Sequence, residues 1–196
     1  MNTSSGEPPR DGQRVVAILG MHRSGTSLLA GTLQQCGLEL GDVNTQAPAN
    51  EKGNRESWLL MALHEDLLRK AGGFWHTPPV RPVIWTRLHE AMRRLFIDEF
   101  AGIPLWGFKD PRLLHLLDGW LEVLPELETV GIFRHPLEVA ESLRKRTPSL
   151  FPGDAAERLW LDHNRRLLAW HDRTGCPLLE FVADRAAFHA ATVAVA

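Results

Sequence analysis

Eight consecutive residues, Gly20-Met21-His22-Arg23-Ser24-Gly25-Thr26-Ser27, combine two outer glycines, a cation and paired hydroxyls, the make-up of a loop that wraps an anion. An apolar run over 15–19 precedes them, and a helical pattern, Leu28-Leu29-Ala30-Gly31-Thr32-Leu33, follows. In the order strand, loop, helix, such a segment aims backbone N–H groups and the positive end of a helix dipole at a phosphate or sulfate. A nucleoside triphosphatase carries Gly-Lys-Ser/Thr where this chain has Gly25-Thr26-Ser27, so the lysine that reaches a γ-phosphate is missing. Arg23, inside the loop, is the nearest cation. The segment therefore predicts an oxyanion site and disfavours ordinary ATP or GTP hydrolysis. An ordinary Gly/Ser turn would leave the agreement of glycines, hydroxyls, strand and helix unexplained.

A second pair has a spacing with chemical meaning. Residues 129–133 read as a short buried strand, and Pro136 suits the first turn of a helix, which leaves Arg134 at the carboxyl end of the strand, where open α/β sheets bind ligands. Ser142 follows eight positions later, two turns into that helix. Arginine presents a fork of donors to a phosphate monoester, and a serine hydroxyl completes such a clamp. Taken alone, the pair is better explained by a structural ion pair and a small residue that lets helices pack closely.

With both blocks in view, the chain resembles sulfotransferases that use 3′-phosphoadenosine 5′-phosphosulfate (PAPS), above all the bacterial branch with an Arg-Ser-Gly-Thr-Ser/Thr core. Met21 to Leu29 is similar to the 5′-phosphosulfate loop of that family, and Ile132 to Leu143 is similar to its 3′-phosphate site. The resemblance spans roughly 15–143. It implies that Arg23, Ser24, Gly25, Thr26 and Ser27 hold the 5′-phosphosulfate and that Arg134 and Ser142 hold the 3′-phosphate. Between the blocks, Gly107-Phe108-Lys109-Asp110-Pro111-Arg112 ends a predicted strand and is similar to a Lys-Asp-Pro element of tyrosylprotein and related sulfotransferases. There the resemblance implies that Lys109 stabilises the leaving phosphate. A fixed ammonium offsets charge that builds on a departing oxygen. The competing reading is a Lys109–Asp110 surface pair ahead of a helix that starts at Pro111.

The attacking group needs a base. Asn50-Glu51-Lys52-Gly53-Asn54-Arg55-Glu56-Ser57-Trp58 resembles the family's loop before the second helix, which implies Glu56 for that role. A glutamate in a first helical turn also simply complements the dipole. Glu51, His22, His64 and His115 stand behind it. The nine histidines are scattered without ligand spacing, so no metal site is expected, and the resemblance implies none. Seven tryptophans accompany no tyrosine; Trp75 and Trp85, near a Pro-rich connector over 74–82, are placed to floor an acceptor cleft. The likeness departs at the C-terminus, where the family's glycine-rich basic loop is missing. Either Arg144, Lys145 and Arg146 substitute for it or the cofactor lid is reduced, and the three cations equally suit a helix's negative end.

These residues must be carried by a chain of 196 residues with 44% hydrophobic content and a net charge of −2, enough for one core and too neutral to point to nucleic acid. No apolar run near the N-terminus is long enough to cross a membrane. The polar, Gly- and Pro-containing stretch 1–13 is expected to be a flexible lead-in to a single α/β domain over 14–196. Cys36 and Cys176 read as reduced, buried thiols of a cytoplasmic protein. Alternating patterns predict a P-loop-type parallel sheet flanked by helices, with strands over 15–19, 104–108, 129–133 and 178–182. Helices are expected over 55–71, 84–101, 112–123, 136–146 and 155–173, besides the one opening at 28. The expected activity is sulfuryl transfer from PAPS to a hydroxyl or amine of a small molecule or glycan. The alternatives are a P-loop kinase of small metabolites, for which only Asp110 is placed to hold Mg²⁺, and a nucleotide-binding module without catalysis. Acceptor and oligomeric state are left open by the sequence.

Overall fold

Successive side chains of a strand point to opposite faces, and the first apolar run sorts its residues into two cores accordingly. In the computed structural model, which describes residues 12–46 and 53–194, strand β1 (Arg14–Leu19) sends Val15, Ala17 and Leu19 into one buried cluster and Ile18 into another, with Val16 packed beside it. A strand buried on both faces belongs in the middle of a parallel sheet with helices on either side. Strands β2 (Leu105–Lys109), β3 (Glu128–Phe133) and β4 (Leu178–Glu180) join it in one four-stranded parallel sheet of order β2-β1-β3-β4. The register sets Ile18 opposite Lys109 and Leu19 opposite Gly131, so neighbouring strands end almost level. The chain is an α/β protein with the parallel sheet that its sequence predicts.

Helices α1 (Thr26–Gln35) and α7 (Arg185–Val193) cover one face, where Leu29, Leu33 and Phe188 meet Ile18, Val130 and Ile132. On the other face, α2 (Trp58–Lys70), α3 (Arg87–Asp98) and α4 (Leu117–Leu121) close over Trp106 and Trp120, both fully buried. Helices α5 (Pro136–Arg146) and α6 (Ala155–Thr174) pack on each other, and Val139, Leu143, Phe151 and Leu159 gather there around Met21 of the loop after β1.

Several elements differ from expectation. Helix α2 starts at Trp58, because the Ser57 hydroxyl accepts from Leu60 N–H and caps it; Glu56 thus precedes the cap and lies outside the first turn. Helix α3 begins only at Arg87, where Thr86 caps it and donates its N–H to His89 Nδ1 at 3.1 Å. The helix expected over 112–123 is a 3-10 turn, Pro111–His115, followed by the short α4. The Asp110 carboxylate accepts the Arg112 N–H at 2.8 Å and tightens this turn. Gly119 then lets Trp85 approach so closely that a Cβ there would lie 2.1 Å from its Nε1. Strand β4 ends at Glu180, and α7 was not expected at all.

Of the expected lead-in, 1–11 lie outside the described residues, whereas Gln13 donates to the carbonyls of Phe100 and Ile103 at 2.9 and 2.7 Å. Glu51 also lies outside the described residues. Cys176 is buried, as expected, but Cys36 caps the end of α1 and is exposed. Among the described residues no helix is long and apolar enough to cross a membrane.

Candidate functional site

The carboxyl ends of all four strands open into one cleft of about 830 Å³. His22, Arg23 and residues 25–27 enter it after β1, Lys109 at the end of β2, Arg134 after β3 and Phe181 after β4. Ligands of open α/β sheets bind at this edge.

The loop after β1 is shaped by its glycines. Gly20 and Gly25 adopt φ of 155° and 93°; a Cβ on the first would lie 2.6 Å from the Ile132 carbonyl, and on the second 2.4 Å from the Phe181 ring. Gly25 caps α1, whose N-terminus has no side-chain cap. The carbonyl of Gly25 already receives Leu28 and Leu29 N–H, and α1 opens with Thr26 and Ser27 lining the cleft, where the first N–H groups of a helix lack intrahelical partners and suit an anion. Arg23, at φ 69°, is one of two non-glycine residues with left-handed backbone among those described, the other being Arg55. Both line the cleft. Ser24 is different: it is fully buried, its N–H donates to Met21 carbonyl at 3.2 Å, and its hydroxyl has no partner among the described residues. It supports the loop from behind, while Gly25, Thr26 and Ser27 line the cleft.

One end of the cleft gathers guanidinium groups. Arg23 Nε donates to Ser142 Oγ at 2.8 Å, joining two segments 119 residues apart. Arg134 donates weakly to the Arg23 carbonyl at 3.4 Å, pairs with exposed Glu138 at 2.7 Å, and lies with its guanidinium carbon 4.7 Å over the Phe181 ring. Arg146 lines the same end. Burial, and then the like charges of Arg146 and Arg134, hold the Arg23 guanidinium below its ordinary value. Three cations, of which among the described residues only Arg134 has a carboxylate partner, the exposed Glu138, make a site suited to a multiply charged anion. Ser142 lies behind this end and acts on Arg23, where its spacing had suggested Arg134.

The other end is buried and balanced in charge. Lys109, 2% exposed, donates from Nζ to Glu56 Oε1 at 2.5 Å and lies 3.5 Å from Ser27 Oγ. It is no surface pair with Asp110. Asp110 is fully buried and bound by Arg112 at 2.9 and 3.1 Å, while His64 Nδ1 lies 3.2 Å from its Oδ2. His64 Nε2 accepts from Trp120 Nε1–H at 2.9 Å, which leaves the proton of a neutral ring on Nδ1, facing the carboxylate. Arg112 completes the network through Glu65 at 2.6 Å and Glu56 at 3.8 Å. Burial raises the Glu56 pKa above its ordinary value, although Lys109 opposes the shift. Burial likewise lowers that of Lys109. Burial works against charge on Asp110 too, but Arg112 and His64 outweigh it and hold the carboxyl below its usual range.

The remaining candidates separate cleanly. His22 lines the cleft with its ring 4.6 Å from Trp75, and burial holds it neutral, well below its ordinary value. Trp75 lines the cleft as expected; Trp85 does not, being packed on Gly119, Trp120 and Arg93, whose guanidinium carbon is 4.5 Å from its ring. His64 is a core residue. His115 lies outside the cleft and is pushed down by burial to about 2. The 3-10 turn brings it against Asp162 and His163 of α6, a cluster that linear spacing did not reveal. Of the three late cations of α5 only Arg146 reaches the cleft, because Arg144 pairs with Glu157 and Lys145 with Glu141. Arg112, Arg55 and, from the segment 181–189, Phe181, Val182, Ala183, Phe188 and His189 also line the cleft without having been expected there. Asp184 accepts from Ala186 and Ala187 N–H, so an Asp cap before an alanine-rich run was the available signal for α7.

No family model matches the chain, and neither does any curated protein. Among solved structures it is similar to TT1252 from Thermus thermophilus (19% identity, TM-score 0.49, covering 93% of this chain and 96% of that one). It is also similar to the sulfotransferase domain of the Synechococcus PCC 7002 olefin synthase, at 20% identity and TM-score 0.48, over 90% of this chain and 70% of that one. A third is sulfotransferase STF1 from Mycobacterium tuberculosis H37Rv, at 14% identity and TM-score 0.48, over 93% of this chain and 66% of that one. At such identities the site has to be read from its own residues.

Proposed function

We propose that the cleft binds PAPS and that the protein transfers its sulfuryl group to a hydroxyl or amine of a small molecule or glycan. The observation that carries this reading is the gathering of Arg23, Arg134 and Arg146 at one end of an anion loop whose other side is reached by Lys109. A cofactor with a 5′-phosphosulfate and a separate 3′-phosphate needs two anion subsites, and in this reading the loop after β1 with Lys109 would be one and Arg134 the other.

In this reading the loop residues Arg23, Ser24, Gly25, Thr26 and Ser27 hold the phosphosulfate, Ser24 through the backbone that it shapes. Arg134 takes the 3′-phosphate, and Ser142 positions Arg23 beside it. Glu56 accepts the proton of the attacking hydroxyl, and its raised pKa suits a base better than an ordinary carboxylate would. Lys109 offsets the charge left on the departing phosphate oxygen. Thus the acceptor oxygen bonds to sulfur, the bond from sulfur to the phosphate oxygen breaks, and the proton ends on Glu56. No residue of this scheme calls for a metal ion in the cleft. The kinase reading is weakened by Asp110, whose oxygens are taken up by Arg112 and His64 and do not line the cleft.

Calorimetry with 3′-phosphoadenosine 5′-phosphate, AMP and ATP plus Mg²⁺ tests the proposal. The first should bind much more tightly than AMP; equal affinities, or preference for ATP with Mg²⁺, would remove the sulfotransferase reading. Turnover of PAPS with a promiscuous phenol separates an enzyme from an inactive binding module.

A further inference from the structure

Outside the cleft, at the seam between the 3-10 turn Pro111–His115 and helix α6, we infer a binding site for one divalent transition-metal cation of the zinc class, formed by His115, Asp162 and His163. One ligand atom from each lies within 4.8 Å of the other two. His115 Nε2 is 3.5 Å from Asp162 Oδ2, and the two imidazole rings stand 4.7 Å apart at 79°, edge to face and not stacked.

Two independent features point to a ligand here. The first is His115 Nε2, which is buried and has no hydrogen-bond partner among the described residues, in a side chain only 3% exposed. A buried polar atom without a partner is costly and calls for an explanation. The second is His163 Nδ1, 3.1 Å from the Leu159 carbonyl. A carbonyl only accepts, so Nδ1 carries the proton and Nε2 keeps the lone pair, the orientation that a backbone acceptor imposes on metal-binding imidazoles. Burial keeps both rings neutral and ready to coordinate: His163 is pushed down to about 4, as His115 is to about 2. Two nitrogens and one carboxylate select a zinc-like ion over Mg²⁺ or Ca²⁺. Asp162, 43% exposed, opens the site to solvent, and its one arginine or lysine partner among the described residues is Arg166 at 3.4 Å, in a pair exposed enough to yield.

The consequence is mechanical. His115 ends the turn that begins one residue after Asp110, so an ion bound there would pin the Lys109–Asp110–Arg112 segment to α6 without entering the cleft. The site stands independently of the sulfotransferase reading.

The test uses the untagged full chain stripped with EDTA and titrated with Zn²⁺ by calorimetry and with Co²⁺ by visible absorption. One ion per chain is expected, with the intense d–d bands of low-coordinate Co²⁺ and a thermal midpoint that rises with added Zn²⁺. Asp162→Asn and His115→Ala should each weaken Zn²⁺ at least about tenfold, the lower end of what disturbing a ligand's surroundings costs. Asp172→Asn, elsewhere on α6, should leave it unchanged. Because His115→Ala opens a buried turn, the half-exposed Asp162→Asn is decisive. Failure to bind Zn²⁺, or binding that Asp162→Asn leaves intact, overturns the inference.

Discussion

The two ends of the cleft are built on opposite electrostatic plans. At one end Arg23, Arg134 and Arg146 carry the same sign, and Arg134 is 26% exposed in its side chain and paired with the exposed Glu138. At the other, Lys109, Glu56, Arg112 and Asp110 alternate in sign and are almost wholly withdrawn from water. A same-sign cluster costs stability until an anion arrives, so its substitution should change binding far more than folding. A buried alternating network is internally satisfied, and removing one member leaves another charge stranded. Mutation at the first end can therefore change binding without folding, whereas at the second folding stands in the way.

The largest effect should come from the element that both ends share. Gly25→Val places a β-branched side chain at φ 93° and into the Phe181 ring, which should abolish binding of 3′-phosphoadenosine 5′-phosphate in calorimetry while circular dichroism still reports a folded chain. A folded variant that binds normally would detach the loop from both ends. Next comes Glu56→Gln, expected to lower turnover by about a hundred- to ten-thousandfold with cofactor affinity retained. The base must be ionised, so turnover of the parent should fall as pH drops through a Glu56 pKa raised above 4.5, and the variant should lose that limb. Stability has the opposite sense: with the folded pKa above the unfolded one, the contribution is fully present below the unfolded value and is lost as pH rises through the folded one. Turnover within a few-fold of the parent would move the base role to His22, which alone of the named histidine candidates lines the cleft.

Lys109→Met sharpens the contrast, because here chemistry and folding are entangled. It should cut turnover about a hundredfold or more yet leave affinity for 3′-phosphoadenosine 5′-phosphate nearly intact. It should also cost about 3–5 kcal/mol in urea unfolding, since Glu56 would keep only Arg112 at 3.8 Å. The double variant with Glu56→Gln should be more stable than the sum of the singles by about 0.5–3 kcal/mol. Strict additivity would mean that the pair is not coupled. Arg134→Ala is the counterpart at the exposed end: about ten- to a hundredfold weaker binding of 3′-phosphoadenosine 5′-phosphate, no change for AMP, and little change in stability.

The sequence made the four strand regions and the anion loop legible because strands buried on both faces are uninterrupted apolar runs and because glycine is needed where φ is positive. Lys109 was legible as a strand-end residue. Its partner was not: Glu56 is 53 positions away, on the segment before α2, and meets it only in the folded chain, while local propensity placed that glutamate inside a helix that Ser57 in fact starts later. Ser142 illustrates the same limit, since the eight-residue spacing to Arg134 was real but the hydroxyl turns to Arg23 on another element. The helix over 112–123 failed for a local reason, the Asp110 side chain taking the Arg112 N–H and forcing a tight turn. That turn is also what carries His115 to Asp162 and His163.

The smallest expected effect tests whether the exposed end has been understood. Glu138 holds Arg134 Nε at 2.7 Å, four residues along α5, with its own side chain 53% exposed. If Glu138 fixes the guanidinium for the ligand, Glu138→Gln should weaken 3′-phosphoadenosine 5′-phosphate about as much as Arg134→Ala does. If instead it is an ordinary surface partner, it contributes about 0.2–1 kcal/mol to the pair, and its charge opposes an incoming phosphate. The same-sign plan of this end favours the second outcome: Glu138→Gln should tighten binding by no more than about fivefold, and the gain should shrink as salt screens the carboxylate. Calorimetry at two ionic strengths reads both quantities. A tenfold loss of affinity at low salt would assign Glu138 to the binding machinery and leave the end as a mixed-charge network like its buried counterpart.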